Sequence, residues 1–344
     1  VSDQRDGGIA WTEQTWNPIR GCSRVSEGCR NCYAERQAGR MAGPGGAYEG
    51  LVKLTPSGPR WTGRLSLVEE KLAEPLRWTR PRMIFVNSMS DLFHEALTNE
   101  EIAAVFGVMA AAPRHTFQVL TKRAKRMREW FAWAEKFVIG TDGGTGPLAA
   151  LWEALASTPA HLPSPLEVDD EGCALAKAIG DEWPLPNVWI GVSVEDQASA
   201  DERIPHLLET PAAVRWVSYE PAIGPANFTP WLDRSCCGYP VGGYDQPPEC
   251  CGQPNPPLDW IVVGGESGPG ARPFDLEWAR SAIAAGKAAG VPIFVKQLGA
   301  MPGHVEDGHQ WLVTSLHDKK GGDMAEWPAD LRVREWPKTS EARS

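Results

Sequence analysis

The feature that most constrains this chain is a repeated theme. A short apolar run ends in polar or glycine-containing residues, and a helical stretch follows. Six runs carry it: MIFV (83–86), TFQVL (116–120), VWIGV (188–192), VRWV (214–217), WIVV (260–263) and IFV (293–295). Continuous apolar runs of this length fit strands buried on both faces of a parallel sheet. Between them lie helical patterns, such as 99–112, opened by Thr98 as an N-cap, and 275–289, closed by Gly290. Strands alternating with helices predict an α/β fold with right-handed crossovers. With a seventh strand near 9–11, the pattern predicts a partial (β/α) barrel of six to seven mostly parallel strands. A doubly wound open sheet is the alternative. In a barrel the C-terminal strand ends gather the functional groups. Here those ends carry Asn87, Ser88, Ser90, Asp91, Lys122, Ser193, Glu195, Asp196, Tyr219, Glu220, Glu266, Ser267, Lys296 and Gln297.

Two segments break the rhythm. Residues 136–186 mix Gly, Pro and acidic stretches around LAALWEALA and read as an insertion or lid. Residues 232–257 are rich in Gly and Pro and carry Cys236, Cys237, Cys250 and Cys251. The expected organisation is a barrel over 1–300 with these two insertions, then an extension over 301–344 that packs on the barrel. In that extension HQWLVTSLHDKKGGD (309–323) reads as a hairpin or as a loop over an edge.

No run of eighteen apolar residues occurs, so no transmembrane helix and no membrane partner are expected. The first residues, VSDQRDGGIAWTEQ, lack a basic start with an apolar core, which predicts a cytoplasmic protein. In that compartment close thiols read as metal ligands or catalytic groups before disulfides. The net charge of −10 argues against holding nucleic acid by bulk electrostatics alone. One local exception is KRAKRMR (122–128), either a solvated helix face or a phosphate-contacting patch. Most of the 16 Trp are expected in the core, with a few free to stack on a planar substrate.

The stretch GCSRVSEGCRNCYAER (21–36) holds Cys22, Cys29 and Cys32 in C-x6-C-x2-C spacing, one thiol short of a closed tetrahedral site. Two readings are open. Zinc would need a fourth ligand from elsewhere, such as a cysteine of 236–251 or His94. A [4Fe–4S] cluster bound through three irons would keep its fourth iron open for a substrate or cofactor. The CC-x12-CC set, Cys236, Cys237, Cys250 and Cys251, suffices for a second zinc or cluster site, although adjacent cysteines are awkward ligands for one metal. Cys173 stands alone.

The chain resembles radical S-adenosylmethionine (SAM) proteins. More closely, it is similar to a phage- and mobile-element-borne family with the same C-x6-C-x2-C arrangement. The resemblance is carried by TWNPIRGCSRVSEGCRNCYAER (15–36), VNSMSDLFHE (86–95), VLTKR (119–123), WIGVSVEDQ (189–197), VSYEPAIGP (217–225), DWIVVGGESGPGARP (259–273) and FVKQLG (294–299). It implies a partial barrel and a [4Fe–4S] cluster on Cys22, Cys29 and Cys32 whose open iron chelates SAM. It implies an electron from a reductant such as a flavodoxin or ferredoxin, which splits SAM into methionine and a 5′-deoxyadenosyl radical. It also makes a nucleic-acid base or modified nucleotide a plausible substrate class. The common spacing is C-x3-C-x2-C with an aromatic before the third cysteine. Here the first gap is longer, and the aromatic, Tyr33, follows Cys32.

By the same resemblance, Asn87, Ser88, Ser90 and Asp91 take the place that binds the SAM amino group, and Ser193, Glu195 and Asp196 the place that binds its ribose. The GGESGPG stretch, with Gly264, Gly265 and Glu266, is a phosphate-cradling nest or a tight turn, set at the adenine or substrate side of the pocket. Glu220 and Lys296 are the candidate catalytic residues; they either pair with each other or contact substrate. The runner-up function is a zinc-stabilised, phage-encoded α/β binding protein without redox chemistry. A metal-assisted barrel hydrolase is a third reading, weakened by the lack of a compact His/Asp motif.

Overall fold

The apolar runs form strands, as buried parallel strands require. A computed structural model describes residues 9–137, 146–157, 182–232, 257–306, 309–312 and 316–337. Its strands are β1 (Gln14–Trp16), β2 (Ile19–Arg20), β3 (Val52–Thr55), β4 (Gly58–Trp61), β5 (Ser66–Leu67), β6 (Met83–Val86) and β7 (Thr116–Thr121). They continue with β8 (Val188–Val194), β9 (Val214–Tyr219), β10 (Trp260–Gly264), β11 (Phe274–Asp275), β12 (Ile293–Gln297), β13 (Pro302–Glu306) and β14 (His309–Leu312). Seven of them make one all-parallel sheet in the order β1-β6-β7-β8-β9-β10-β12, curled into a half-barrel. Every residue of β8 and β10 is buried, as strands covered on both faces must be.

The first strand lies at Gln14–Trp16 rather than near 9–11. Trp11 is buried before it, edge-on to Phe85 with ring centroids 4.8 Å apart, and its carbonyl accepts from Gln118 Nε2 at 3.2 Å. The apolar run at 9–11 therefore anchors the chain ahead of the sheet instead of pairing within it.

The chain divides into two compact units: Val1–Gly191 with Thr210–Ala213, and Val192–Glu209 with Val214–Ser344. In the first unit β6 pairs in parallel with β1 and β7. Its helices are α1 (Tyr33–Gly39), α2 (Asn99–Ala110), α3 (Ala124–Glu135) and α4 (Pro147–Ala156). Thr98 opens α2 with a capping box: its hydroxyl accepts from Glu101 N, and the Glu101 carboxylate accepts from Thr98 N. All residues from Ile102 to Ala110 are buried, because α4 packs on this helix and Trp130 of α3 stacks on Phe106 at 4.4 Å. A small hairpin, β3–β4, lies against α1.

In the second unit β10 pairs in parallel with β9 and β12. Asp196 caps α5 (Gln197–Leu208), and Asp275 caps α6 (Leu276–Ala289), which ends at Gly290 in the left-handed region, φ 67°. The segment 302–312 forms the antiparallel hairpin β13–β14, and β13 pairs with β11. Beyond it, Val295 N donates to Val333 O at 2.8 Å, so the tail lies along β12. Among the described residues no helix is long and apolar enough to cross a membrane.

Candidate functional site

The cysteine loop joins β2 to α1 in the first unit. Gly21 starts it with φ +94°, and a Cβ there would lie 2.1 Å from Arg64 O, so only glycine fits. Cys29 closes a single 3-10 turn, and Cys32 precedes α1. The loop is pinned by Arg24, which lies between the first two cysteines. Its Nε donates to both Glu35 oxygens at 3.0 and 3.2 Å, and its Nη2 donates to Arg30 O at 2.9 Å. Glu35 is 1% exposed, and it also receives Trp61 N at 3.0 Å and lies 3.7 Å from Arg60. One buried carboxylate thus ties together the loop, α1 and the hairpin. Behind the loop Ala34, Ala38, Tyr48, Leu51, Trp61 and Met89 form an apolar cluster on which Cys22 and Cys32 pack.

A second network holds the start of the loop to the ends of β6 and β7. Asp91 accepts from Thr121 Oγ1 at 2.7 Å, Phe93 N at 3.0 Å, Lys122 N at 3.2 Å and Arg123 Nη1 at 2.9 Å. Arg123 also donates to Glu95 at 2.9 Å, to Ser23 Oγ at 2.7 Å and to Ser23 O at 3.2 Å, and its Nη1 lies 4.0 Å from Cys22 Sγ. Burial works against its charge, but Asp91, Cys22 and Glu95 outweigh it and hold the guanidinium above its ordinary pKa. His94 Nδ1 accepts from Ala96 N at 3.1 Å, so its proton sits on Nε2, 2.9 Å from Ser23 Oγ. The Ser23 oxygen therefore accepts twice. Burial, then Arg123, pushes the His94 pKa down, which keeps the ring neutral.

Burial, with the Asp91 charge second, pushes the Cys22 thiol up to about 12, against a smaller opposing effect of Arg123. Burial also raises Cys32, while backbone N–H groups of Glu35 and Ala34 favour its thiolate. Without a metal, both thiols stay protonated at neutral pH. Among the described residues no three His, Cys, Asp or Glu side chains form a group that could hold a metal ion. A single tetrahedral zinc requires sulfurs only about 3.8 Å apart, from Zn–S bonds of about 2.3 Å. A cluster binds each thiolate through a different iron and spreads them wider. The donor set of the loop is three free thiols, the ligand type that an iron–sulfur cluster takes. Cys173, Cys236, Cys237, Cys250 and Cys251 lie outside the described residues.

The other residues expected at the β6 end are largely engaged. Ser90 Oγ donates to Ile19 O at 3.0 Å and Ser88 Oγ to Asn17 Oδ1 at 3.1 Å. Both oxygens of Asp91 are taken by the Arg123 network. Asn87 is buried at φ 58°; its Oδ1 accepts from Ile19 N at 3.4 Å, and its Nδ2 has no partner among the described residues. What this turn retains unspent is a donor.

In the second unit each acidic strand-end residue is paired. Glu195 lies 2.9 Å from Arg203, whose Nη1 also donates to Ser193 O at 2.7 Å. Asp196 accepts from Ser199 N at 2.9 Å as the α5 cap. Glu220 and Lys296 pair with each other at 2.6 Å. Glu266 receives Arg272 through Nε at 3.0 Å, Nη2 at 2.7 Å and the backbone N at 3.0 Å, which folds the GGESGPG loop around its own carboxylate. A Cβ on Gly265 would lie 2.4 Å from Leu298 O, so the close approach of that strand end requires the second glycine. A Cβ on Gly264 would only touch the Glu220 side chain, at 3.4 Å. Burial, then Asp196 and Asp275, raises the Tyr219 pKa, and its hydroxyl donates to Gly224 O.

A family model matches residues 6–327, nearly the whole chain. The chain belongs to the family described as protein of unknown function (DUF5131). No curated protein and no solved structure matches it.

Within this DUF5131 chain, sequence reasoning missed Arg24, Glu35, Arg60 and Ser23. It met Arg123 only as one member of a basic run. Arg123 is buried and Arg126 bonds Asn99 Oδ1 at 2.7 Å, so KRAKRMR is neither a uniformly solvated face nor a continuous patch. A lone Glu on a short helix between arginines was the available signal for Glu35. Nothing local marks Ser23.

Proposed function

We propose that this chain is a radical SAM enzyme in which Cys22, Cys29 and Cys32 hold a [4Fe–4S] cluster. The observation that carries the reading is a loop with three free thiols, tied by Arg123 and Asp91 to the C-terminal ends of parallel strands, where barrel enzymes keep their chemistry. When bound, such a cluster would pass one electron, taken from a reductant such as a flavodoxin or ferredoxin, to SAM, whose S–C5′ bond would break to give methionine and a 5′-deoxyadenosyl radical.

The chain's own residues do the rest. Arg123 sets a fixed positive charge beside Cys22, which favours its thiolate once a metal displaces the proton. The Arg24–Glu35 pair holds the two ends of the loop at a set spacing. The apolar cluster behind Cys22 and Cys32 keeps water from the sulfurs. The unspent Nδ2 donor of Asn87 suits the carboxylate of SAM better than its ammonium group. The Glu220–Lys296 pair is a candidate for substrate contact in the second unit. A nucleic-acid base or modified nucleotide is the substrate class we favour.

The test is anaerobic purification, reconstitution with iron and sulfide, and EPR after reduction, with and without SAM. A [4Fe–4S]⁺ signal that changes on adding SAM supports the reading. A colourless protein holding only zinc overturns it and leaves the zinc-stabilised binding protein.

A further inference from the structure

Charge is distributed unevenly along this chain. Residues 17–66 carry eight Arg and Lys against three Glu, in a chain whose net charge is −10. None of the eight cations is buried, whereas one of the three carboxylates, Glu35, is. The segment that bears the cysteine loop is therefore a basic surface on an acidic protein.

The positions of these cations sharpen the point. Arg24 and Arg60 share Glu35, so one buried negative charge faces two guanidiniums. Lys53 and Arg60 are direct cross-strand partners in β3–β4; Arg60 turns its charge to Glu35, and Lys53 stands exposed. Arg24 and Arg30 line an open depression of about 520 Å3 with Val25, Ser26 and Glu27, formed by the loop between Cys22 and Cys29. Arg24 is within electrostatic range of Cys29 and Cys32, so the depression borders the thiols. Of the five exposed large apolar side chains among the described residues, four lie here: Val25, Tyr33, Met41 and Leu54. The Tyr33 ring is 54% exposed while its hydroxyl is anchored to Ser88 O. Cations interleaved with exposed apolar and aromatic faces are what unpaired nucleic acid requires, since its bases stack while its phosphates pair.

We propose that this surface binds single-stranded nucleic acid, its phosphates on Arg30, Lys53 and their neighbours and a base against Tyr33, and so delivers it to the cysteine loop. As the source of the substrate it rests on the radical SAM reading; as a binding surface it does not.

The experiment measures anisotropy of a labelled 20-nucleotide single strand with the full chain in a salt series. With about four phosphate contacts, affinity should fall about 50-fold between about 50 and 200 mM salt. Arg30→Glu/Lys53→Glu should weaken binding about tenfold or more and reduce the salt slope by one to two. Lys319→Glu/Lys320→Glu makes the same change in net charge on exposed residues elsewhere and should leave affinity within about twofold. Absence of binding at the lowest salt overturns the proposal, as does equal loss in both variants. Tighter binding of duplex, or stronger competition by polyglutamate, also overturns it. A SAM-responsive EPR signal without strand binding sinks this inference alone; strand binding by a protein that assembles no cluster sinks only the enzyme reading.

Discussion

The cysteine loop of the first unit and the strand-end loops of the second are built from the same residue types to opposite effect. In the second unit three strand-end glutamates each meet a cation: Glu195 with Arg203, Glu220 with Lys296, Glu266 with Arg272. Those pairs close the electrostatics locally, and their main work is to fix loops. Around the cysteines the charges are shared across networks instead. Two arginines share Glu35, and Arg123 points a charge at Cys22 as well as at its carboxylates. Three guanidiniums face three carboxylates there, and the Arg123 charge offsets part of the rise that burial and Asp91 impose on the Cys22 thiol. The difference separates a scaffold from a site better than any single residue does.

The largest expected effect comes from breaking the support of the loop. Asp91→Ala leaves Arg123, with its side chain only 4% exposed, without its buried partner and should cost about 4 kcal/mol in urea denaturation. It should also speed iodoacetamide alkylation of Cys22 in the metal-free protein. Glu195→Gln breaks an equally buried pair in the second unit and should cost about 3 kcal/mol or more. Here alkylation of Cys22 should stay unchanged. If both variants expose the thiol alike, the contrast between the two regions is lost.

A pH series probes the same contrast more gently. The folded pKa of Cys22 is raised to about 12 from an ordinary value of 9.0, so the fold favours its neutral thiol. That stabilisation is complete below about pH 9 and is lost as pH rises towards about 12. The metal-free protein should therefore lose stability across that alkaline window, and Cys22→Ala should flatten the curve. Iron uptake should run the other way, faster at pH 8.5 than at 6.5, because the thiols must give up protons. A pH-independent uptake rate would mean that the thiols are already ionised.

How much of this was legible depended on range. The parallel strands, the Thr98 cap and the Gly290 stop were readable because period, cap and breaker all act within a few residues. The β3–β4 hairpin was missed, although its Pro56–Ser57 turn is present, because VKLT and GPRW are short, mostly polar strands without a continuous apolar run. The Arg123 network could not be read. Which of five basic residues in KRAKRMR turns inward is decided by Asp91, thirty-two positions earlier, and by the end of β7. The spacing of three cysteines was legible at once, but what supports them lies in Glu35, Ser23 and Asp91, whose roles exist only in three dimensions.

The smallest expected effect lies in a region outside both poles of the comparison and calibrates the rest. Thr98 accepts from Glu101 N at 3.1 Å at the start of α2, on the exposed side of a helix whose other residues are almost wholly buried. Thr98→Ala removes one cap bond and returns a donor to water, so the loss should be about 1 kcal/mol. Thiol alkylation and strand binding should not move, since neither Arg123, Arg30 and Lys53 nor the cysteines touch this cap. If this small change altered thiol reactivity as much as Asp91→Ala does, the reactivity would report general loosening of the first unit. The guanidinium of Arg123 would then have no special claim on Cys22.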